Sequence, residues 1–214
     1  SGSPSTSSAQ ISDLSSPIAT FTPAGGAGTY TLRWTISNSP CSASTNDVSI
    51  IVRALPTTSS AGSNVALCPG GSAVLNANSP SSGTGVWAVV SGPSTSNAQF
   101  SATNDDDATF TPAGGAGSYL LSWTISNSPC VASSSQLTVT VNPTPTSTPS
   151  SNGPICSGAS LNLTGGTNIG TSFSWTGPNG FTATTDSIFG LEGGAYSLIV
   201  TDNVGTMVTR NTTV

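Results

Sequence analysis

Charge is what this sequence has least of. Only 5% of its 214 residues are charged, it contains neither Lys nor His, and Arg33, Arg53 and Arg210 are its only basic residues. Nucleic acids and anionic bilayers are held by clustered Lys and Arg that displace counterions. A net charge of −5 without a basic cluster therefore argues against both as partners. The want of His and Lys also deprives a Ser or Cys nucleophile of its usual base. The remaining route, a pair of carboxylates, would require Asp186 and Glu192 to converge. Long apolar runs are missing too, so no stretch has the length of a membrane-spanning helix and membrane insertion is not expected. No charged-then-apolar leader stands at residue 1. The expectation is a chain that is not an enzyme and whose partners are bound by something other than charge.

What is present points to strands. Hydrophobic residues make up 35% of the chain and fall in short alternating runs, punctuated by 24 Gly and 15 Pro. Alternation at period two marks half-buried strands. The fold class is read as all-β.

The chain also repeats itself. The phrase "FTPAGGAGTYTLRWTISNSPC" at residues 21–41 returns as "FTPAGGAGSYLLSWTISNSPC" at residues 110–130, so Phe21 matches Phe110 and the offset is 110 − 21 = 89 residues. "PSTSSAQ" at 4–10 and "PSTSNAQ" at 93–99 keep the same spacing, and "LCPGGSAVL" at 67–75 resembles "ICSGASLNL" at 155–163. A period of this length fits one immunoglobulin-sized sandwich and is too long for a solenoid unit. The domains are read as 1–54, an incomplete sandwich lacking its opening strands; 55–143, a complete one; and 144–214, a shorter, diverged one. Residue 1 is accordingly not expected to be the natural N-terminus. The Pro-containing segments "ALPTTSS" and "NPTPTSTPSS" are read as stiff links between domains.

Within the phrase, Tyr30, Leu32, Trp34 and Ile36 alternate with polar residues, as do Tyr119, Leu121, Trp123 and Ile125, so one face is built for burial. Tyr30, Trp34, Tyr119, Trp123, Trp175 and Tyr196 are the expected core aromatics. Gly-x-Tyr at Gly28/Tyr30, Gly117/Tyr119 and Gly194/Tyr196 resembles the tyrosine corner of immunoglobulin-like sandwiches, in which the phenol bonds to upstream backbone. Cys68 and Cys130 are the only two Cys in the complete unit and are expected to form a disulfide, worth roughly 4 kcal/mol for a loop of about 60 residues. Cys41 and Cys156 have no partner within their own units and are expected to be unpaired here, with an interdomain bridge or a partner outside the chain as the alternative.

Taken together, "WTISNSPC", the "LCPGG" start, and "SWTGPNGF" followed by "GAYSLIVTDNVG" resemble the tandem repeats of giant Bacteroidetes surface proteins with immunoglobulin-like or PKD-like modules, among them the SprB-type gliding-motility adhesins. The resemblance implies tandem antiparallel β-sandwiches and export by the type IX secretion system to the outer-membrane surface. The partners it implies are adjacent repeats, other surface-filament or motility components, and a glycan or abiotic surface. It implies no catalytic residue and no cofactor. Three further candidates stand against plainer readings. Asp105, Asp106 and Asp107 are possible Ca²⁺ ligands, or simply a polar turn. Ser187, in Asp186-Ser187-Ile188, matches the Bacteroidetes O-glycosylation pattern. An outward-facing Trp would serve as a sugar platform, against core packing, and Phe181 in "WTGPNGF" sits nearest a loop. The leading expectation is a stalk segment of a surface adhesin. The rivals are a carbohydrate-binding module and a strand-exchanging filament subunit.

Overall fold

The computed structural model describes residues 4–156, 159–169 and 172–213. It is all-β. Strands β1 (Gly28–Ile36) and β2 (Ser44–Val52) form an antiparallel hairpin, with Trp34 opposite Asn46. Six strands follow: β3 (Val65–Leu67), β4 (Ala73–Val74), β5 (Thr84–Ser91), β6 (Thr109–Phe110), β7 (Gly117–Ser126) and β8 (Ser133–Val141). They make one sheet in the order β3-β8-β7-β5 and a second from β4 and β6. Every pairing among them is antiparallel except β3 with β8, where Val65 lies opposite Val139 and Leu67 opposite Val141.

The alternation of the repeated phrase places its apolar face between these two sheets. Trp87, Tyr119, Leu121, Trp123 and Ile125 from one side meet Leu75 and Phe110 from the other in a single closed core. The Trp87 and Trp123 rings lie opposite in register, with centroids 5.1 Å apart. Gly85 permits this packing, because a Cβ there would strike the Trp123 indole.

A third sandwich has a core of its own. Its strands are β9 (Ser150–Ser151), β10 (Leu161–Thr164), β11 (Ser172–Thr176), β12 (Thr182–Ala183), β13 (Ser187–Leu191), β14 (Ala195–Thr201) and β15 (Met207–Thr213). They form sheets β12-β11-β14-β15 and β13-β10-β9, which enclose Leu161, Leu163, Trp175, Tyr196, Leu198 and Val200.

Each Gly-x-Tyr closes in the same way. The Tyr30 hydroxyl donates to Gly26 O at 2.8 Å, Tyr119 to Gly115 O at 3.0 Å and Tyr196 to Glu192 O at 2.8 Å, each four residues upstream. A second conserved plug within the repeat is a buried glutamine. Gln10 Nε2 donates to Ser5 O and Ser7 O while its Oε1 accepts from Ala24 N, and Gln99 does the same with Ser94, Ser96 and Ala113.

The segments read as links are bound to sandwiches instead. In the first, Thr57 N donates to Ser82 O and Ser60 N to Asn78 Oδ1. In the second, the buried Ser147 donates to Gly165 O, Thr148 N donates to Gly166 O, and residues 150–151 are strand β9. Proline withholds one donor, but its neighbours keep theirs, and here those donors are used.

Candidate functional site

The first repeat presents an uncovered face. Its hairpin reproduces β7 and β8, so Leu32, Trp34, Ile36 and Val48 correspond to Leu121, Trp123, Ile125 and Leu137 at the 89-residue offset. The latter four are buried, whereas Trp34 is 40% exposed, Ile36 62% and Val48 56%. Trp34, expected in the core, is thus a correction: among the described residues no equivalent of β3 or β5 flanks the hairpin and no equivalent of β4 lies across from it. Tyr30 remains buried, against the Phe21 ring. An open groove of about 380 Å³ runs across this face between Leu14, Pro17, Phe21, Leu32, Trp34 and Val48. In the second sandwich the same position is occupied by Trp87 and Leu75.

Polar groups of the hairpin are left without partners in parallel. Trp123 Nε1 donates to Asn78 O, and Asn127 Nδ2 donates to Ala54 O and Ser82 Oγ. Among the described residues, their counterparts Trp34 and Asn38 have no side-chain hydrogen bond.

The expected Cys68–Cys130 disulfide is absent; all four thiols are free. Register explains why. Cys68 follows Leu67, which lies opposite the last residue of β8, whereas Cys130 precedes the first. Eight strand steps separate those levels, about 26 Å, while a disulfide requires Cα atoms within about 7 Å. The two cysteines instead mark opposite ends of the sandwich. Cys130 Sγ lies 3.5 Å from Ala54 O and 3.7 Å from Arg53 O, just beyond β2. Cys68 Sγ accepts from Thr206 Oγ1 at 3.2 Å, in the β14–β15 turn of the third sandwich. Cys41 and Cys156 are exposed.

That β14–β15 turn is built by a residue the sequence did not single out. Asp202 is buried, and its Oδ1 accepts from Val204 N and Thr206 N at 2.9 and 2.8 Å. Its Oδ2 has no partner among the described residues. The only signal for this role was the Asp-Asn-x-Gly turn composition.

The other candidates do not assemble into a site. Asp105 caps its own turn, accepting from Asp107 N, and its carbonyl receives the Trp87 indole N–H. Asp106 offers its carbonyl to Ala77 N. No three acidic, Cys or His side chains converge among the described residues, and the contacts of Asp105 and Asp106 are those of a turn. Ser187 opens β13, half-buried, and its carbonyl accepts from Thr185 Oγ1. Trp175 is fully buried, and Phe181 packs edge-on against Tyr196 at 5.8 Å. Burial, together with the nearby Glu192 charge, pushes the Tyr196 phenol upward. Asp186 and Glu192 flank β13 at its two ends. The six residue steps between them set their Cα atoms about 20 Å apart, beyond the spacing of either glycosidase class.

No family model matches the sequence, and no curated protein is similar to it. Solved structures do resemble it. The N-terminal eight Ig domains of Down syndrome cell adhesion molecule match 92% of this chain at 14% identity and a TM-score of 0.52, this chain spanning 32% of that one. A three-Ig segment of titin matches 87% of this chain and 73% of its own at 13% identity, TM-score 0.48. A Ca²⁺-stabilised adhesin with which an Antarctic bacterium binds ice matches 86% of this chain and 55% of its own at 14% identity, TM-score 0.36. At such identities the first of these likenesses speaks for the fold alone: the chain is a tandem array of Ig-like β-sandwiches.

Proposed function

We propose that this chain is a stalk segment of a large, secreted, cell-surface adhesin, in which modules 1–54, 55–143 and 144–214 space a distal adhesive region from the cell. One observation carries the reading. What the repeat reproduces bond for bond is internal scaffolding, the glutamine plug and the tyrosine corner, rather than a convergent set of surface groups. A chain that duplicates its interior is suited to length. Absence of Lys and scarcity of Arg leave few sites for trypsin-like proteases, which suits exposure.

The finer assignment follows the sequence resemblance: a SprB-type Bacteroidetes protein, exported by type IX secretion, anchored at the outer membrane and engaged in gliding. Its partners are then adjacent repeats and other filament components, and its role is non-enzymatic. Carbohydrate recognition is the second reading, favoured by the exposed Trp34 beside an open groove. A glycan array and calorimetric titration on the full chain, with and without millimolar Ca²⁺, separate the two. The stalk predicts no saturable binding, and a saturable glycan signal lost in Trp34→Ala overturns it.

A further inference from the structure

The geometry points to a specific occupant for the open face of the first repeat: an opening-strand segment with the pattern of residues 55–91, whose own cysteine is brought to Cys130. The inference deepens the stalk reading, by naming how one module is closed and joined to the next.

The second sandwich provides the register. There β5 pairs with β7 from Thr84↔Ser126 to Val89↔Leu121, and β3 runs parallel to β8 from Val65↔Val139 to Leu67↔Val141. Subtracting 89, the incoming segment pairs antiparallel with residues 32–37 and parallel with residues 50–52. In the second repeat β3 and β5 flank the hairpin within its sheet and β4 belongs to the sheet packed against it, and their side chains close the same apolar face. Over residues 21–41 the repeats differ only at Thr29/Ser118, Thr31/Leu120 and Arg33/Ser122. All three lie on the outward side of the strand, and Tyr30, Leu32, Trp34 and Ile36 are unchanged. An exposed Trp34, Ile36 and Val48 with their hydrogen-bonding groups unmet is a surface shaped for burial. The Trp34 indole and Asn38 amide are the groups that, in the second repeat, reach residues 54, 78 and 82.

A second copy of the chain is a poor donor. Its residues 55–91 already close its own core, so lending them would uncover as much apolar surface as it covers. The occupant is an unengaged segment of the same pattern.

The cysteine argument is independent of that face. At the junction between the second and third sandwiches, Cys68 lies 3.2 Å from Thr206, in the turn that corresponds to the Cys130 turn. A segment seated on the first repeat ends its parallel pairing at Val52, and its next residue is the counterpart of Cys68. It arrives beside Arg53 and Ala54, whose carbonyls are within 3.7 Å of Cys130 Sγ. The pairing rule is therefore opening-strand cysteine to turn cysteine of the following module, and the third sandwich has Thr206 where that cysteine would stand.

The test uses the reduced full chain and a peptide of residues 55–91, its Cys68 activated as the mixed disulfide with thionitrobenzoate. The attacking thiolate of the chain forms an S–S bond to the peptide sulfur, and thionitrobenzoate leaves with the electron pair of the bond that breaks. The expected result is one equivalent of coloured thiolate, with the peptide mapped to Cys130. Cys41, Cys68 and Cys156 are exposed and Cys130 only half-exposed, so accessibility alone gives the opposite order. Ile36→Asp in the chain, or Gly85→Val in the peptide, is expected to slow capture at Cys130 roughly tenfold or more. Labelling spread over the exposed thiols, capture indifferent to Ile36→Asp, or a chain dimer abolished by that substitution would each overturn the proposal. Thr206→Cys checks the junction within one chain. With oxidised glutathione as the two-electron acceptor, it is expected to bridge to Cys68, and thiols that stay free there refute the pairing rule. Glycan binding would refute the stalk, while failure of capture refutes only this closure.

Discussion

The two copies of the repeated hairpin share a sequence and differ in surroundings. Trp123 is 1% exposed and Trp34 40%, although both follow Gly-x-Tyr by the same spacing and pair across an antiparallel turn. What survives without cover is local. The glutamine plug, the tyrosine corner and the hairpin register are intact in both copies, because each is closed by residues within about 25 positions of one another. What fails without cover is burial of the strand centre, which depends on strands that lie elsewhere in the chain. The comparison divides the fold into a part the phrase encodes alone and a part it only receives.

Truncating the two tryptophans should widen that difference most. Trp123→Ala removes a fully buried indole packed at a tilt against Trp87, and is expected to cost about 3–5 kcal/mol. Trp34→Ala is expected to change stability by no more than about 1 kcal/mol, as at other partly exposed positions. Urea titration followed by near-UV circular dichroism measures both. Equal losses would mean that the first face is covered in solution, which joins this experiment to the peptide capture.

Much of the fold was legible because it rests on local pattern. Period-two alternation located β1 and β7, and Gly-x-Tyr located three phenol-to-backbone bonds. The misreadings share one cause, a dependence on strand direction and register. Nothing in the alternation of residues 65–67 says that β3 runs parallel to β8, yet that direction sends Cys68 to the far end of the sandwich from Cys130. Residues 54–60 and 142–151 read as spacers because proline lacks a donor. Their carbonyls and the remaining N–H groups are invisible to composition, and the structure pairs them with Asn78, Ser82 and Gly166, while the Ser147 hydroxyl donates to Gly165 O. Asp202 escaped notice for the same reason: its value lies in two backbone N–H groups that only the closed turn presents.

Deleting one hydroxyl should give a smaller and nearly equal effect in the two copies. Tyr119→Phe loses the donation to Gly115 O and the acceptance from Gly114 N, and Tyr30→Phe loses the matching pair with Gly26 and Gly25. Each is expected to cost about 1 kcal/mol, read by hydrogen exchange at residues 25–30 and 114–119. A much larger loss at Tyr119 would show that the corner draws on the closed core, and the division between local and received structure would break down.

The smallest effect concerns the outward side, where the copies differ by charge. Arg33 and Asp47 face each other across β1 and β2 with two hydrogen bonds of 2.8 and 2.9 Å, and the second repeat has Ser122 and Gln136 there instead. The hydrogen bonds from Arg33, aided by its charge, hold the Asp47 carboxyl below the usual carboxylate range. A carboxylate depressed in the folded state adds stability above its unfolded pKa and loses it as pH falls through the folded value. The pair should therefore favour the first hairpin at neutral pH, begin to lose that contribution as pH falls below about 4, the ordinary Asp range, and have lost it once pH is below the depressed Asp47 value. Both side chains are well exposed, so the effect is slight and weakened further by salt. Carbon-13 NMR titration of Asp47 should show a depressed midpoint that returns to the ordinary range in Arg33→Gln, with the corresponding amides of the second hairpin indifferent over the same interval. A midpoint unmoved by Arg33→Gln would place the cause of the depression outside this pair and remove the one electrostatic difference between the two hairpins.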